Sequence, residues 1–272
     1  MTRFGSLKSM VSCTRRNSSA PISLIYGKSF FALILSVLVA QALIGGAFAS
    51  ARGSRGDAEA SFDPEPSSAE IIQGIDNAVR NREKVVAGYT VKDHYAIYRN
   101  GGATPAAEMT VQTVYTKGVG KSFTTLSESG SGLLRSTVIE KIIAGEKEMS
   151  TADVRDSVLV NSTNYEMTPD LTRTQLNGKD CYLVALKARR KSPHLFNGKA
   201  WVDASDFSVL RLEGTPSQSP SFFAGDSTMA RDYSKFDGIP MAVRAEAHSH
   251  NFLLGDTTLK IESTDYQIQR NP

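Results

Sequence analysis

HLFNGKAWVDASDFSVLRLEG, residues 194–214, holds the only tryptophan of a 272-residue chain, and its reading decides the fold. It reads as a β-hairpin: GKAWVDA forms the first arm, an Ala204-Ser205-Asp206 turn follows, and FSVLRLEGT returns. Asn197-Gly198 ahead of Trp201 is expected to be a hairpin turn, as are Asn177-Gly178 and Asp237-Gly238, because these dipeptides tolerate positive φ.

Working outward, the same two-residue period recurs on both sides. Towards the C-terminus it gives FFAGDSTMARDYS, MAVRAEAHSH and TTLKIESTDYQIQ; towards the N-terminus it gives NYEMTPDLTRTQL and DCYLVALKA. In the last strand Leu259 and Ile261 are odd-numbered whereas Tyr266 and Ile268 are even, so a bulge is expected near Ser263 to Asp265. Further upstream, Tyr89, Val91, Tyr95 and Ile97 share one face of GYTVKDHYAIY, and Met109, Val111 and Tyr115 share one face of EMTVQTVYT. A third strand, KSFTTLSES, follows the Gly118 and Gly120 turn, which makes an antiparallel meander and excludes a βαβ alternation.

Two helices interrupt the strands. Ser67-Ser68-Ala69-Glu70 is an S-x-x-E capping box, and Ile71, Ile72, Ile75 and Val79 continue it as one apolar stripe to about Arg82. Leu133 to Met149 carries Leu134, Val138 and Ile142 at helical spacing, although its β-branched residues work against a helix. The sum is a mainly β (α+β) fold: a curved antiparallel sheet, or incomplete β-barrel, of about ten strands in one domain over residues 67–270. A sheet this large must curl, and helices can cover its concave apolar face.

Ahead of this domain, residues 1–51 read as a signal peptide. Arg3, Lys8, Arg15, Arg16 and Lys28 precede the apolar run FFALILSVLVAQALIGGAFASA, no acidic residue occurs before position 57, and Ala47, Ala49 and Ala51 suit cleavage after Ala49 or Ala51. The alternative is an inner-membrane signal anchor, since the run is about the 20 residues that span a bilayer. Neither Cys13 nor Cys181 lies just beyond it, so no lipid-attachment cysteine is expected. Residues 52–66 lack periodicity and read as a flexible linker. Five of the 31 Lys and Arg belong to the leader; the remaining 26 against 28 Asp and Glu give the mature chain a net charge of −2. The overall +3 therefore reflects targeting, and nucleic-acid binding has no compositional support. Cys181 alone would survive cleavage, which excludes an intrachain disulfide.

The residues with reactive side chains form no catalytic constellation, and no enzyme activity, cofactor or metal is expected. KGVGKS at Lys117 to Ser122 resembles half a phosphate-binding loop, but Tyr115 stands where its first glycine belongs and a strand follows instead of a helix. His248 and His250 share one strand face without a third ligand nearby, and Cys181 lies in an alternating strand as a small core residue. Lys187, Arg189, Arg190 and Lys191 form a basic run ahead of Pro193, either a contact for lipid phosphates or an acidic partner or a solvated loop. Met109, Val111, Tyr115, Leu210, Leu212, Met241 and Val243 are most simply core; if the sheet curls without closing, they line a groove under a helix where acyl chains can bind.

With this element order, and with LNGKDCYLVALKARRKSPHLFNGKAWVDASDFSVLRLEGTPSQSPSF over Leu176 to Phe222, the chain resembles the LolA-like outer-membrane lipoprotein-sorting proteins. The likeness covers roughly Ser67 to Gln269, and its Gly-x-x-Trp-Val-Asp hairpin is a signature of fold, with Trp201 in a central hairpin. It implies a half-barrel wrapped around helices, whose apolar concavity takes the acyl chains of lipoproteins or other lipids in the periplasm. It also implies membrane transfer proteins as partners. Related half-barrels sense envelope stress, so a sensor or protein-interaction module is the alternative.

Overall fold

The computed structural model describes residues 65–218, 224–251 and 255–272. The predicted leader and nearly all of the linker lie outside the described residues.

Ser67 caps α1 (Ser68–Val85) as expected: its hydroxyl accepts from the Glu70 N–H while the Glu70 carboxylate accepts from the Ser67 N–H at 2.8 Å. Ile71, Ile75, Ala78 and Val79 face inward, and so does Arg82, one turn further along the same stripe. The helix runs without a loop into β1 (Val86–Arg99), which is followed by β2 (Ala107–Thr116) and β3 (Gly120–Gly130). The KGVGKS stretch forms the turn of the β2–β3 hairpin and the start of β3, with Gly118 at φ 79°.

The second helical segment is α2 (Gly132–Leu134), a π-type stretch over Arg135–Ile139, and α3 (Glu140–Met149). Of its β-branched residues, Thr137, Val138 and Ile139 fall in the π stretch, where the Ser136 and Thr137 hydroxyls bond back to the Leu133 carbonyl, and Ile142 and Ile143 lie in α3. A short α4 (Ala152–Arg155) leads into the long meander. This comprises β4 (Tyr165–Leu176), β5 (Lys179–Ala188), β6 (Phe196–Asp203), β7 (Val209–Pro216), β8 (Ala224–Phe236), β9 (Ile239–Asn251) and β10 (Gly255–Arg270).

These form one antiparallel sheet in the order β3-β2-β1-β10-β9-β8-β7-β6-β5-β4, open at β3 and β4. The last strand returns to the first: β10 pairs along β1 from Val86↔Arg270 to Arg99↔Thr257. That pairing sets β1 and β10 third and fourth from the β3 edge, and the β6–β7 hairpin with Trp201 is correspondingly third and fourth from the β4 edge, inside the sheet. The expected bulge is present, with the β1–β10 register slipping between Thr90↔Gln267 and Lys92↔Thr264 and Asp265 at φ 59°.

Asn177-Gly178 and Asp237-Gly238 form tight turns with both residues at positive φ. Asn197-Gly198 does not: it lies inside β6, where Asn197 Oδ1 accepts from the Ala188 N–H. Gly198 serves a close approach of strands, since a Cβ there would stand 1.9 Å from the Glu213 carbonyl oxygen and 2.6 Å from Gly214 Cα.

Both helical segments lie on the same face of the sheet. α1 covers β4 to β8 through Ile71, Ile75 and Val79 against Tyr165, Val184, Val202 and Leu212. The α2–α3 segment covers β1, β2, β9 and β10 through Leu134, Val138 and Ile142. On the opposite face Trp201 lies beneath Lys199, whose Nζ is 4.7 Å from the ring centroid, and near Arg211 at 5.9 Å.

Candidate functional site

Five of the seven residues expected to line a groove lie on the covered face. Met109 and Val111 pack under the α2–α3 segment with Tyr95, Ile97 and Ile142. Tyr115 and Met241 join Val86, Tyr89, Val91 and Ile239 in an adjoining cluster, and Leu212 lies under α1. All five are 4% exposed or less, so the helices fill this face.

Leu210 and Val243 are elsewhere. Each is the extra residue of a β-bulge: Trp201↔Arg211 is followed by Val202↔Val209, which leaves Leu210 unpaired, and Asp232↔Arg244 is followed by Tyr233↔Ala242, which leaves Val243 unpaired. Both line an open depression of about 660 Å³ with Leu176, Lys179 and Lys235. Counting by twos groups Leu210 with Leu212 and Val243 with Met241, and the bulges break that phase.

The basic run divides in the same way. The Arg189 guanidinium donates to the Ser162 carbonyl at 2.9 Å, and Arg190 donates to Asn164 Oδ1 at 3.0 Å and to the Ser157 carbonyl. Both therefore fasten the α4–β4 connection. Lys187 makes an exposed pair with Glu166 at 3.4 Å, and Lys191 is exposed. His248 and His250 lie on exposed strand positions, paired with Glu246 at 3.0 Å and Asp256 at 2.7 Å. Cys181 is buried and free, its thiol pushed up by burial and then by the Asp203 charge.

Four charged residues meet on the covered face, of which only Lys121 belongs to a motif noted in the sequence, KGVGKS. Along β1 the inward positions read Tyr89, Val91, Asp93, Tyr95 and Ile97, so Asp93 interrupts an otherwise apolar stripe. Its carboxylate accepts from the hydroxyls of Thr113 on β2 and Ser263 on β10. From the helix side Glu146 occupies the apolar stripe of α3, one turn after Ile142, with a side chain 0% exposed. Its Oε2 accepts from Lys121 Nζ at 2.6 Å and its Oε1 from the Tyr95 hydroxyl at 3.1 Å. Burial holds the Glu146 carboxyl above the ordinary carboxylate value although Lys121 opposes that shift. Arg231 on β8, 2% exposed, is the fourth, and its Nε has no hydrogen-bond partner. These four side chains line a cavity of about 20 Å³ together with Tyr89 and Tyr266, room for about one water molecule. The available signal in the sequence is phase: Asp93, Glu146 and Arg231 each stand where the neighbouring period demands an apolar residue.

A second, partly buried charge cluster ties the end of α1 to α4. Arg155 donates to both carboxylate oxygens of Glu83 at 2.6 Å, and its guanidinium lies 4.9 Å from the Tyr115 ring centroid. Despite burial, the hydrogen bonds and charge of Arg155 hold the Glu83 carboxyl below its ordinary value. Arg82, beside it, directs Nη2 to Met241 Sδ at 3.4 Å, and burial followed by the Arg155 charge lowers its pKa.

No protein-family model and no curated protein matches the sequence. Among solved structures, the chain is similar to a LolA superfamily protein from Nitrosomonas europaea, at 11% identity and a TM-score of 0.42 over 76% of this chain and 96% of that one. It is also similar to a DUF1329 family protein from Desulfovibrio piger, at 12% identity and a TM-score of 0.36 over 70% and 88% of the two chains. A domain assigned to outer membrane lipoprotein sorting from Vibrio parahaemolyticus matches at 11% identity and a TM-score of 0.40, again over 70% and 88%.

Proposed function

We propose that this protein is a non-enzymatic carrier of the bacterial periplasm that holds acyl chains of lipids or lipoproteins between its helices and the covered face of the sheet. The observation that supports this most is the construction of that face. Ten strands curl without closing, and the apolar inner surface is covered by helices that pack on it through side chains, outside the sheet's own hydrogen-bond ladder.

Such a covering can move without breaking the sheet. An acyl chain entering beneath α2–α3 would replace Leu134, Val138 and Ile142 against Tyr95, Met109 and Val111. Each buried methylene contributes about 0.8 kcal/mol, so a chain of about twelve carbons offers on the order of 9 kcal/mol against the contacts it displaces. The π-type stretch at Arg135–Ile139 provides a place for the segment to bend. Export through the N-terminal leader places the domain where lipids and lipoproteins move between membranes.

The experiment is binding of N-phenyl-1-naphthylamine to the purified protein, followed by competition with phospholipid and with a triacylated lipopeptide. Saturable fluorescence that either competitor removes is the expected result. A protein that leaves the probe dark and retains no co-purifying lipid by mass spectrometry overturns the reading.

A further inference from the structure

On the carrier reading above, we propose that Lys121, Arg231 and Tyr95 form an anchor for the anionic head of a bound amphiphile, and that Glu146 occupies this anchor as an internal competitor in the closed form. The ligand class is a long-chain carboxylate or phosphate, and Glu146 opposes its entry.

The partners in this cluster divide between the sheet and one helix. Lys121 belongs to β3, Tyr95 to β1, Arg231 to β8 and Asp93 to β1, so all four belong to the sheet. Glu146 alone among the buried charges of this cluster belongs to the helix that must move. In the closed form Lys121 and Arg231 face Asp93 and Glu146 in the cavity, while Arg244 at its rim is exposed and paired with Glu262 at 3.5 Å. Once α3 lifts, the sheet retains Lys121, Arg231 and Asp93, an excess of one positive charge.

Asp93 does not neutralise that excess equally for every donor, because both of its oxygens are engaged by the Thr113 and Ser263 hydroxyls. The groups released are those that held Glu146: the Lys121 ammonium at 2.6 Å and the Tyr95 hydroxyl at 3.1 Å. Arg231 adds a guanidinium that is 2% exposed, lines the same cavity and has Nε unpartnered. A buried donor without an acceptor is costly, and an anion supplies one. Apolar clusters adjoin this site along β1, with Tyr89 and Val91 on one side of Asp93 and Tyr95 and Ile97 on the other. A single chain with an anionic end could therefore place its head among the donors and its tail against either cluster. Glu146 presents the same chemistry on a tether: a carboxylate at the end of an apolar stripe.

Competition of N-phenyl-1-naphthylamine with dodecanoate, dodecyl phosphate and dodecanol tests this on the full protein. An anchor predicts that at least one anionic ligand binds about tenfold or more tightly than dodecanol, the scale of a charge-assisted hydrogen bond. Whether dodecanoate or dodecyl phosphate leads identifies the head. Lys121→Met should reduce the anionic-to-neutral ratio several-fold, a readout that is insensitive to how easily the helix opens. Arg231→Gln should reduce it too. Glu146→Gln should tighten all three ligands and leave the ratio within about twofold, because removing the tethered carboxylate eases opening without altering the sheet's donors. Equal binding of all three ligands to the native protein, or a ratio that Lys121→Met leaves unchanged, overturns the anchor while the carrier stands. If none of the three displaces the probe, or the probe does not bind, the carrier reading fails first.

Discussion

Gly198 on β6 and Gly214 on β7 are paired neighbours, and neither has room for a side chain: a Cβ on Gly214 would stand 2.4 Å from the Asn197 carbonyl oxygen, as one on Gly198 would collide with Glu213. The two strands approach so closely there that backbone occupies the space of both side chains. Gly198→Ala should destabilise the protein by about 2 kcal/mol or more, a strain cost against rigid backbone atoms. A urea midpoint unchanged from the native protein would contradict this packing.

Gly74 in α1 tests a flexible neighbour. A Cβ there would lie 2.4 Å from two atoms of the Phe207 ring, which stands on a residue at φ 58° and stacks 6.5 Å from Tyr182. In an exposed helix Gly→Ala stabilises by about 1 kcal/mol. Here Gly74→Ala should lower the melting temperature, because Phe207 must leave its seat between the helix and Tyr182. Combining it with Phe207→Gly should remove the clash and recover part of the loss, measurable by calorimetry.

The sequence discloses what local chemistry controls. The Ser67–Glu70 capping box, the positive-φ turns at Asn177-Gly178 and Asp237-Gly238, and the phase change before Tyr266 are all set by residues within a few positions of each other. What escapes it depends on a partner strand. Asn197-Gly198 carries the residues of a turn yet sits in β6, because what demands the glycine is β7 alongside. Leu210 and Val243 leave the expected groove because bulges are defined by pairing, and nothing in VLRLEG or MAVRAE marks the extra residue. Asp93, Glu146 and Arg231 have inward phase but charged side chains; only their meeting in three dimensions makes that burial tolerable. The pairing of β1 with β10 joins residues some 170 positions apart in the sequence, as in Asp93↔Ser263, and no local pattern encodes it.

Stability against pH should report the α1–α4 junction. Glu83 is held below the ordinary carboxylate value in the folded chain, so its contribution is present above the unfolded value of 4.5 and is lost as pH falls through the lowered folded value. Glu83→Gln should destabilise the protein at pH 7 and flatten this acid dependence, since the variant has no proton to take up there. Urea titrations of both proteins between about pH 3 and pH 7 measure it, and parallel curves would show that Glu83 is not a source of the acid loss.

Lys121 and Glu146 offer the sharpest energetic test of the helix contact. Lys121→Met strands a carboxylate that is 0% exposed, and breaking a buried pair in this way costs about 3–5 kcal/mol before relaxation. Glu146 has a route to reduce that cost: its carboxyl is already held above the ordinary value, so protonation on acidification restores a neutral side chain able to donate to its surroundings. The single variant should therefore be strongly destabilised at pH 7 and recover relative to native protein towards pH 5. Adding Glu146→Leu to Lys121→Met replaces the pair by apolar side chains near Val91 and Ile261, which should return most of the lost stability and remove the pH dependence. A double variant as unstable as the single one would mean that the pair is held by the geometry of Tyr95 and Asp93 around it, and not by its own charges.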